Sequence, residues 1–515
     1  MRKKKDRKNQ NEPVRETDRR RAAEPDRAEQ RGRQMTSKEE SKNRRKKVST
    51  GRPYVIVSYL FLALFLGLIS YAVYFQVVLR DDYLSSPYNR RQDANEEQVV
   101  RGAILASDGT VLARTDVDDE GNETRVYPYD SLFAQVVGYS DYGTSGLEST
   151  ENYVLLNSHA DLTEQLQNDL NGEKNIGDNV VTSLNVTLQQ AARDALGDNR
   201  GAVFVMEAST GRVLADVSKP DFNPNTVSED WEELNSEGSG SPFLNRALQG
   251  LYPPGSTFKI VTSLAYLRQY GTLDNFSFNC TGEYTQGGFT IHCSGNEAHG
   301  QQTFAEAFAN SCNCAFAEMA TELLNSTALM ETAESLHFNE SLSMELPSYS
   351  SSFKLENAIA DGLTMQTAIG QGDTLATPAM MAMIAGAVAN DGEMMVPTFV
   401  DRVENHTGTW SEESGNQSLG QVMTSGEAAQ LKELMKGVIR SGTGTGLSDL
   451  PYDIAGKTGT AEYGNTDEEN AHSWFVGFSD TGNSDIVVAV VVEDGGYGST
   501  AALPVARAVF QSYFG

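Results

Sequence analysis

The chain has 515 residues, a length that predicts two or three domains, and 39% of them are hydrophobic, which is enough to bury a substantial core. Residues 1–53 hold 20 Lys and Arg against 9 Asp and Glu, a net charge of +11, whereas the other 462 residues hold 21 against 61, a net charge of −40. This composition excludes a chain that is disordered throughout. The overall charge of −29 is the sum of a basic N-terminal segment and an acidic remainder.

The N-terminal segment repeats Arg, Lys, Glu and Gln and has hardly any large apolar residue before Val48. Such a segment cannot bury a core, so we predict that residues 1–53 form a disordered tail. Nucleic-acid binding is an alternative function for a basic tail. Basic tails beside a membrane span are ordinary, however, and we therefore predict no nucleic-acid partner.

A run of 22 residues without a charge follows, from Tyr54 to Phe75. It is long enough to cross about 30 Å of hydrocarbon and too long for a typical signal-peptide core, so we predict a transmembrane helix over residues 54–75 that remains as an anchor. Positive charge before the span predicts a single-pass protein of the cell membrane with a cytoplasmic N-terminus and an extracellular remainder. No cysteine lies near the span, which excludes a lipoprotein anchor.

Residues 76–176 mix short alternating runs, such as Val99–Leu105 and Val111–Arg114, with polar turns such as Asp108-Gly109. Alternation of apolar and polar residues predicts strands. We expect a small, mostly β pedestal that holds a catalytic domain away from the membrane.

From residue 177 to residue 515 the pattern indicates helices between strands. Leu184–Leu196 has helical spacing, and a final amphipathic helix is expected near the C-terminus. Its apolar stripe consists of Val505, Ala506, Val509, Phe510 and Tyr513. The predicted strands are Gly201–Met206, Arg212–Val217, Gly456–Glu462, Ser473–Phe478 and Ile486–Val492. Terminal strands around central helices predict an α+β fold, an antiparallel sheet packed on helices in which the two ends of the domain meet.

Ser256 and Lys259 form a Ser-x-x-Lys pattern between a Pro-Pro-Gly segment and an apolar run. At the start of a helix the two side chains share a face, so the Lys259 amine can take the proton of the Ser256 hydroxyl and activate it as a nucleophile. Backbone N–H groups at the helix start would stabilise an oxyanion and favour a neutral lysine. The pattern alone is weak, because Ser351–Lys354 repeats it without the proline lead-in.

A Ser-x-Asn pattern, Ser311-Cys312-Asn313, lies 55 residues after Ser256 between two helical runs. Ser294-Gly295-Asn296 and Ser414-Gly415-Asn416 match the same pattern. We choose Ser311 and Asn313, because a tight loop between two helices can aim both side chains into a cleft.

A Lys-Thr-Gly pattern occupies the strand predicted at 456–462. On a strand that lines a cleft, Lys457 would supply positive charge, and Thr458 and Thr460 would supply hydroxyls for a terminal carboxylate. Gly459 would let a substrate backbone lie close. The backbone N–H groups of Ser256 and Thr460 would together form an oxyanion hole.

These three motifs in this order resemble the signature set of penicillin-binding proteins and serine β-lactamases. Residues 241–263 and 456–462 are similar to class B penicillin-binding proteins, the monofunctional peptidoglycan transpeptidases, and Arg101–Ile104 resembles a juxtamembrane motif of that class. The resemblance implies a five-stranded antiparallel sheet with a helical subdomain and a dimerisation-like pedestal. It also implies that Ser311 relays a proton to the leaving group and that Asn313 holds a substrate amide.

Gly370-Gln371-Gly372 also resembles an element of that family, and we assign it a structural role only.

The four cysteines are Cys280, Cys293, Cys312 and Cys314. Cys280 and Cys293 lie in a polar, Gly-rich segment outside the membrane, which favours a disulfide between them. Zinc is the alternative, because His292 and His299 are near, but the spacing matches no standard zinc site and we predict no metal and no cofactor. Cys312 and Cys314 are interpreted as buried free thiols.

The sequence therefore predicts a peptidoglycan D,D-transpeptidase that crosslinks stem peptides through a Ser256 acyl-enzyme and is bound covalently by β-lactams. No segment between the span and the catalytic part is long enough for a glycosyltransferase, so a separate polymerase of the SEDS family is the expected partner. The first alternative is a hydrolase, either a D,D-carboxypeptidase or a β-lactamase. A β-lactam sensor and a catalytically silent scaffold are further alternatives, and the absence of a Gly-x-Ser-x-Gly motif argues against an α/β-hydrolase.

Overall fold

The computed structural model describes residues 52–76, 98–325, 327–355, 361–462, 471–482 and 485–515. The chain divides into two compact units, residues 1–83 and 84–515. Apart from its last two residues, the tail predicted to be disordered lies outside the described residues.

The first unit contains helix α1, Arg52–Tyr74. Its segment Tyr54–Tyr74 has 21 residues and a mean hydropathy of 2.3, and none of it is buried against protein. At 1.5 Å per residue this helix is about as long as the hydrocarbon core of a bilayer is thick. The helix coincides with the predicted span, and it is the one helix of the described residues with the length and composition to cross a membrane.

The second unit begins with the predicted pedestal. Its strands are β1 (Val99–Val100), β2 (Ile104–Leu105), β3 (Val111–Val117), β4 (Glu123–Val126) and β5 (Asn175–Ile176), and its helices are α2 (Ala134–Val137), α3 (Gly146–Thr150), α4 (Asn152–Leu155) and α5 (Leu162–Asn171). The runs predicted as strands form strands. The helices between residues 134 and 171 were not predicted, because each of the first three is too short to show a helical period.

The rest of the unit carries the predicted catalytic part. Its strands are β6 (Asn179–Thr182), β7 (Gly201–Glu207), β8 (Val213–Lys219), β9 (Ser277–Cys280), β10 (Glu283–Gln286), β11 (Phe289–His292), β12 (Gly300–Thr303), β13 (Glu393–Met395), β14 (Val400–Glu404), β15 (Ser411–Glu413), β16 (Ser418–Gln421), β17 (Ile454–Glu462), β18 (Ala471–Ser479) and β19 (Ile486–Val492). Its helices are α6 (Val186–Leu196), α7 (Val227–Leu234), α8 (Arg246–Gln249), α9 (Lys259–Tyr270), α10 (Phe304–Ala309), α11 (Asn313–Glu318), α12 (Ala328–Ser335), α13 (Asp361–Ala368), α14 (Pro378–Ala389), α15 (Ser425–Ser441) and α16 (Ala502–Phe514).

The catalytic part is built on a five-stranded antiparallel sheet with the order β17-β18-β19-β7-β8. The late strand β19 pairs with the early strand β7, with Val492 opposite Gly201. The prediction that the two ends of the domain meet in one antiparallel sheet is therefore confirmed.

Both faces of this sheet are buried. In β19 the residues alternate between two cores, with Val487, Ala489 and Val491 in one and Val488 and Val490 in the other. This alternation follows from the two-residue period of a strand. Helices α6 and α16 cover one face, and α14 covers the other. The site lies at the edge strand β17, between the sheet and the helices that follow β8.

A second sheet joins the pedestal to the catalytic part. Its order is β15-β14-β6-β2-β3-β4, and the parallel pair of β2 and β6 aligns Ile104 with Val180. On its other side β6 pairs with β14, so that Val180 also lies opposite Val403. The sheet crosses the predicted domain boundary near residue 177, which remains a prediction.

A buried carboxylate organises the pedestal at the motif that begins with Arg101. The Glu148 carboxylate is fully buried and accepts from Arg101 Nε at 2.6 Å, from Arg125 Nε at 2.7 Å and from the Tyr127 hydroxyl at 3.2 Å. Burial opposes ionisation, but the guanidinium groups of Arg125 and Arg101 outweigh it and hold the pKa of Glu148 below its usual value. A Cβ at Gly102 would lie 2.0 Å from the Asp178 carbonyl oxygen, so this motif requires glycine.

Candidate active site

Ser256 lies in a 3₁₀ turn, Gly255–Phe258, that leads directly into α9. Gly255 has a φ of +54°, a conformation that favours glycine, and its N–H donates to the Gly370 carbonyl at 2.9 Å. A Cβ at Gly255 would lie 2.5 Å from the Thr460 carbonyl oxygen. The glycine therefore lets the turn contact strand β17 backbone to backbone. The Ser256 side chain is half-buried and has no hydrogen-bond partner within the described residues.

Lys259 is fully buried at the start of α9, three residues after Ser256. Its Nζ lies 2.7 Å from the Ser311 carbonyl oxygen, 3.2 Å from Ser311 Oγ and 2.7 Å from Asn313 Oδ1. Burial lowers the pKa of Lys259 to about 8, against the opposing effect of the nearby cysteine sulfurs. The amine is therefore neutral under mildly alkaline conditions, as a proton acceptor must be.

Ser311 lies on the turn between α10 and α11, as predicted, and Asn313 is the first residue of α11. Ser311 has a φ of +55°, and its N–H donates to the Phe308 carbonyl at 3.1 Å. This left-handed conformation reverses the chain so that both side chains reach Lys259. The Asn313 amide nitrogen also donates to the His292 carbonyl at 3.0 Å, which fixes the orientation of its side chain.

Lys457 is fully buried near the middle of β17. Its Nζ donates to Ser311 Oγ at 2.9 Å and to the Thr458 carbonyl at 3.0 Å. Burial, with a contribution from the charge of Lys259, lowers the pKa of Lys457 well below its usual value. The Ser311 hydroxyl thus bridges two buried lysines, at 3.2 Å and 2.9 Å, and can pass a proton between them.

The remaining motif residues form the wall of the site along β17. The Thr458 hydroxyl lies 2.5 Å from the Thr443 hydroxyl. Gly459 is closely packed, because a Cβ there would lie 3.0 Å from the Thr257 methyl group and 3.2 Å from the Pro254 carbonyl oxygen. A side chain at residue 459 would push the strand away from the turn that carries Ser256.

These residues surround a cleft of about 790 Å³. The predicted site residues that line it are Ser256, Ser311, Asn313, Thr458, Gly459 and Thr460. The two predicted lysines lie behind the wall and reach the cleft through Ser311. All eight predicted residues therefore meet at one place.

The competing motif copies differ from the chosen ones. The Ser351 side chain is buried and accepts from the Thr377 N–H at 3.1 Å, away from the cleft. Ser414 is exposed after β15. Ser294 and Asn296 do line the cleft, but they are exposed. Lys259 donates instead to Asn313 of the chosen copy.

Two residues at the cleft were not predicted. Thr443 follows α15 in a Gly-rich run and its N–H donates to the Ala309 carbonyl at 3.2 Å. The run itself was a signal, since glycines beside a threonine indicate a close backbone approach. Gln371 was assigned a structural role only, and its amide, oriented to satisfy both groups, does bond the Glu462 backbone at 2.9 and 3.1 Å; its position at the cleft was not predicted.

The predicted disulfide is absent. Cys280 Sγ and Cys293 Sγ lie 3.7 Å apart, and all four cysteines of the chain, which lie within the described residues, are buried free thiols. The free state predicted for Cys312 and Cys314 is confirmed, but all four sulfurs lie in one cluster rather than in two separate pairs.

The cleft combines Ser256 at the start of a helix, the buried Lys259 and Lys457, and the edge strand β17. This combination defines the class of serine acyltransferases that β-lactams acylate. Residues 201–511 match the family model of the penicillin binding protein transpeptidase domain, and residues 101–180 match that of the penicillin binding protein A dimerisation domain. The chain belongs to the penicillin-binding protein transpeptidase family.

Named relatives and solved structures agree with this assignment. The chain is 31% identical to the peptidoglycan D,D-transpeptidase PbpA of Mycolicibacterium smegmatis, over 88% of this chain and 96% of the relative. It is similar to penicillin-binding protein A of M. tuberculosis in its imipenem acyl-enzyme complex, with a TM-score of 0.73, 29% identity, and coverage of 81% and 98%. The D,D-transpeptidase domain of a peptidoglycan glycosyltransferase from Eggerthella lenta gives a TM-score of 0.72 with 33% identity and coverage of 80% and 97%.

Proposed function

We propose that this chain is a membrane-anchored peptidoglycan D,D-transpeptidase that crosslinks stem peptides through an acyl-enzyme on Ser256. The observation that carries the proposal is the hydrogen-bonded set of Lys259, Ser311 and Lys457, together with Ser256, which lines the same cleft as Ser311. It supplies a base, a proton relay and a positive field to one nucleophile.

In the first step, Ser256 Oγ attacks the penultimate carbonyl of a stem peptide that ends in D-Ala-D-Ala, and Lys259 Nζ takes the hydroxyl proton. The backbone N–H groups of Ser256 and Thr460 stabilise the oxyanion. Ser311 passes a proton to the departing D-alanine amine. An amino group of a neighbouring stem then attacks the acyl-enzyme carbonyl and loses a proton, the ester bond to Ser256 Oγ breaks, and Ser256 Oγ takes up a proton as the crosslink forms.

Substrate binding uses the β17 wall. Thr458 and Thr460 offer hydroxyls to the terminal carboxylate, and Asn313 holds a substrate amide. Because Lys457 Nζ is buried against the Ser311 hydroxyl and the Thr458 carbonyl, it acts on the bound carboxylate through its field and through Ser311 rather than by direct contact. This supports a binding role for Lys457 that is distinct from the role of Lys259.

A hydrolase is the second candidate. In the described part of the chain, the carboxylates that line the cleft are those of Glu297 and Glu462, and both are exposed. An exposed carboxylate is solvated by bulk water and is not fixed beside the acyl-enzyme, so it is a poor base for deacylation by water. This favours transfer to an amine.

The proposed topology places the N-terminal tail in the cytoplasm and residues after α1 outside, because positive charge precedes the span. In the described residues 98–176, between the span and the catalytic part, the elements are small strands and short helices, so a separate glycan polymerase of the SEDS family is the proposed partner.

We expect penicillin to label the full-length chain in detergent at Ser256, and the adduct to persist for many minutes, because the carboxylates that line the cleft in the described part of the chain are exposed. Intact mass and peptide mapping measure the adduct, with Ser256→Ala as the negative control. An adduct on Ser351, or no adduct, would contradict the assignment. A donor peptide ending in D-Ala-D-Ala, supplied with a D-amino acid acceptor, separates transfer from hydrolysis by the mass of the product.

The acylation rate should rise with pH. The neutral form of Lys259 is the base, and since its pKa is lowered to about 8, the competent fraction grows as the pH passes from 6 to 9 with a midpoint near 8. The measurement is the second-order acylation rate with a fluorescent penicillin at each pH. A lactam that is stable from pH 6 to 9 is the control for hydrolysis of the penicillin in solution. An acylation rate that does not change with pH would exclude Lys259 as the titrating base.

A further inference from the structure

Four ligand-type side chains meet at the base of the turn that carries Ser311. We define the cysteine–histidine cluster as Cys280, Cys293, His299 and Cys312, whose sulfur and ring nitrogen atoms all lie within 4.8 Å of one another. The three cysteines are buried and His299 is half-buried. They come from four separate places: the end of β9, the residue after β11, the residue before β12, and the turn between α10 and α11.

Three of the six distances between ligand atoms of the cluster match the edges of a metal tetrahedron, and all six are within 4.8 Å. Cys293 Sγ lies 3.7 Å from Cys280 Sγ and 3.6 Å from Cys312 Sγ, and Cys280 Sγ lies 3.5 Å from His299 Nδ1. With Zn–S bonds of about 2.3 Å and Zn–N bonds of about 2.0 Å, a tetrahedral site has S···S edges of about 3.8 Å and S···N edges of about 3.5 Å.

Disulfides account for this arrangement less well. A disulfide brings two sulfurs to about 2.0 Å and leaves the others out. Here Cys293 Sγ has three sulfur neighbours at 3.4–3.7 Å, the third being Cys314. One central ion can bind several sulfurs at once, whereas a disulfide bond joins only two.

We propose that the cysteine–histidine cluster binds one Zn²⁺ ion, with Cys280, Cys293 and Cys312 as thiolate ligands and His299 as the fourth ligand through Nδ1. Three sulfurs and one imidazole nitrogen are a donor set that favours zinc. Cys314 lies outside this set of four and packs against it. The site departs from the sequence-based prediction of no metal.

The ion has a structural role. Four protein ligands close a tetrahedral zinc site and leave no position for water, so the site does not add hydrolytic chemistry. Its ligand Cys312 lies between Ser311 and Asn313, the two residues that contact Lys259. The ion would therefore tie the turn that positions the proton relay to the strands on either side of Cys293.

The site is tested by metal and thiol content. The full-length chain is purified in detergent under anaerobic conditions, without chelator and without metal-affinity chromatography, and zinc is measured by inductively coupled plasma mass spectrometry. We expect about one zinc per chain. Denaturation with chelator and an alkylating agent should then modify all four cysteines, as read from the intact mass.

Variants assign the ligands. Cys280→Ser and His299→Asn should each lose the zinc, whereas His292→Asn should keep it, because the exposed ring of His292 lies outside the cluster. Loss of zinc should also lower the acylation rate. The metal and thiol measurements on the native chain need no variant and are independent of whether the chain is a transpeptidase.

The contrary outcomes are equally specific. A metal-free chain with only two alkylated cysteines would establish a disulfide in place of the metal. A chain with four free thiols that takes up no added ZnCl₂ would also overturn the proposal, as would full zinc content in the Cys280→Ser or His299→Asn variant.

Discussion

Replacing Lys259 with arginine should lower the acylation rate by roughly 100- to 10,000-fold. A guanidinium remains protonated and cannot take the proton of Ser256, although it can still donate to Ser311 and Asn313. The measurement is the second-order rate of labelling with a fluorescent penicillin. The large loss is expected because the amine is the sole base proposed for this step.

Lys457→Arg is the matched control, since it makes the same substitution at the second buried lysine of the site. An arginine there carries the positive charge that the proposed binding role requires, so the loss should be modest beside that of Lys259→Arg. Thermal melts confirm that both variants are folded. Equal, near-complete losses would leave the roles of the two lysines unseparated, and a Lys259→Arg chain that acylates normally would refute the base assignment.

Replacing Glu148 with alanine should destabilise the unit formed by residues 84–515 by about 3–5 kcal/mol. The change leaves the guanidinium groups of Arg101 and Arg125 buried without their counter-charge, at side-chain exposures of 10% and 7%. The midpoint of unfolding, followed by tryptophan fluorescence of the chain in detergent, measures the loss.

Asp116→Ala is the control, because it removes the carboxylate of the exposed pair with Arg114 and should cost nothing measurable. The pH dependence gives a second check. Because the folded pKa of Glu148 lies below its unfolded value of about 4.5, its contribution is present above that pH and is lost as the pH falls further. A Glu148→Ala midpoint equal to that of the unchanged chain would contradict the prediction.

Periodicity and motif spacing predicted most of the catalytic sheet. The strand predicted at Ile486–Val492 has those bounds in the structure, and the strand carrying Lys457 differs only by two residues at its start. The first strand was predictable because it is a run of consecutive apolar, mostly β-branched residues, and the second because it carries a motif with fixed spacing. Both are local properties of the sequence. The eight site residues were chosen on the same basis.

Contacts between distant segments were beyond such reasoning. The pairing of Val180 with Val403 and the approach of Thr443 to Thr458 join segments with no shared local pattern. The cysteines show the same limit. Sequence proximity suggested a bond between Cys280 and Cys293, whereas the fold brings Cys312 as near to Cys293 as Cys280 is.

The sheet shared by the pedestal and the catalytic part constrains the order in which the chain can fold during its synthesis. Strand β6 takes one neighbour from β2, about 75 residues earlier, and the other from β14, more than 200 residues later. The pedestal sheet therefore stays open at β6 until residues 400–404 have been made, and a nascent chain that stalls before them exposes an unpaired strand edge. Such an edge can bind chaperones and can aggregate with other chains. The edge is covered only when β14 pairs with β6.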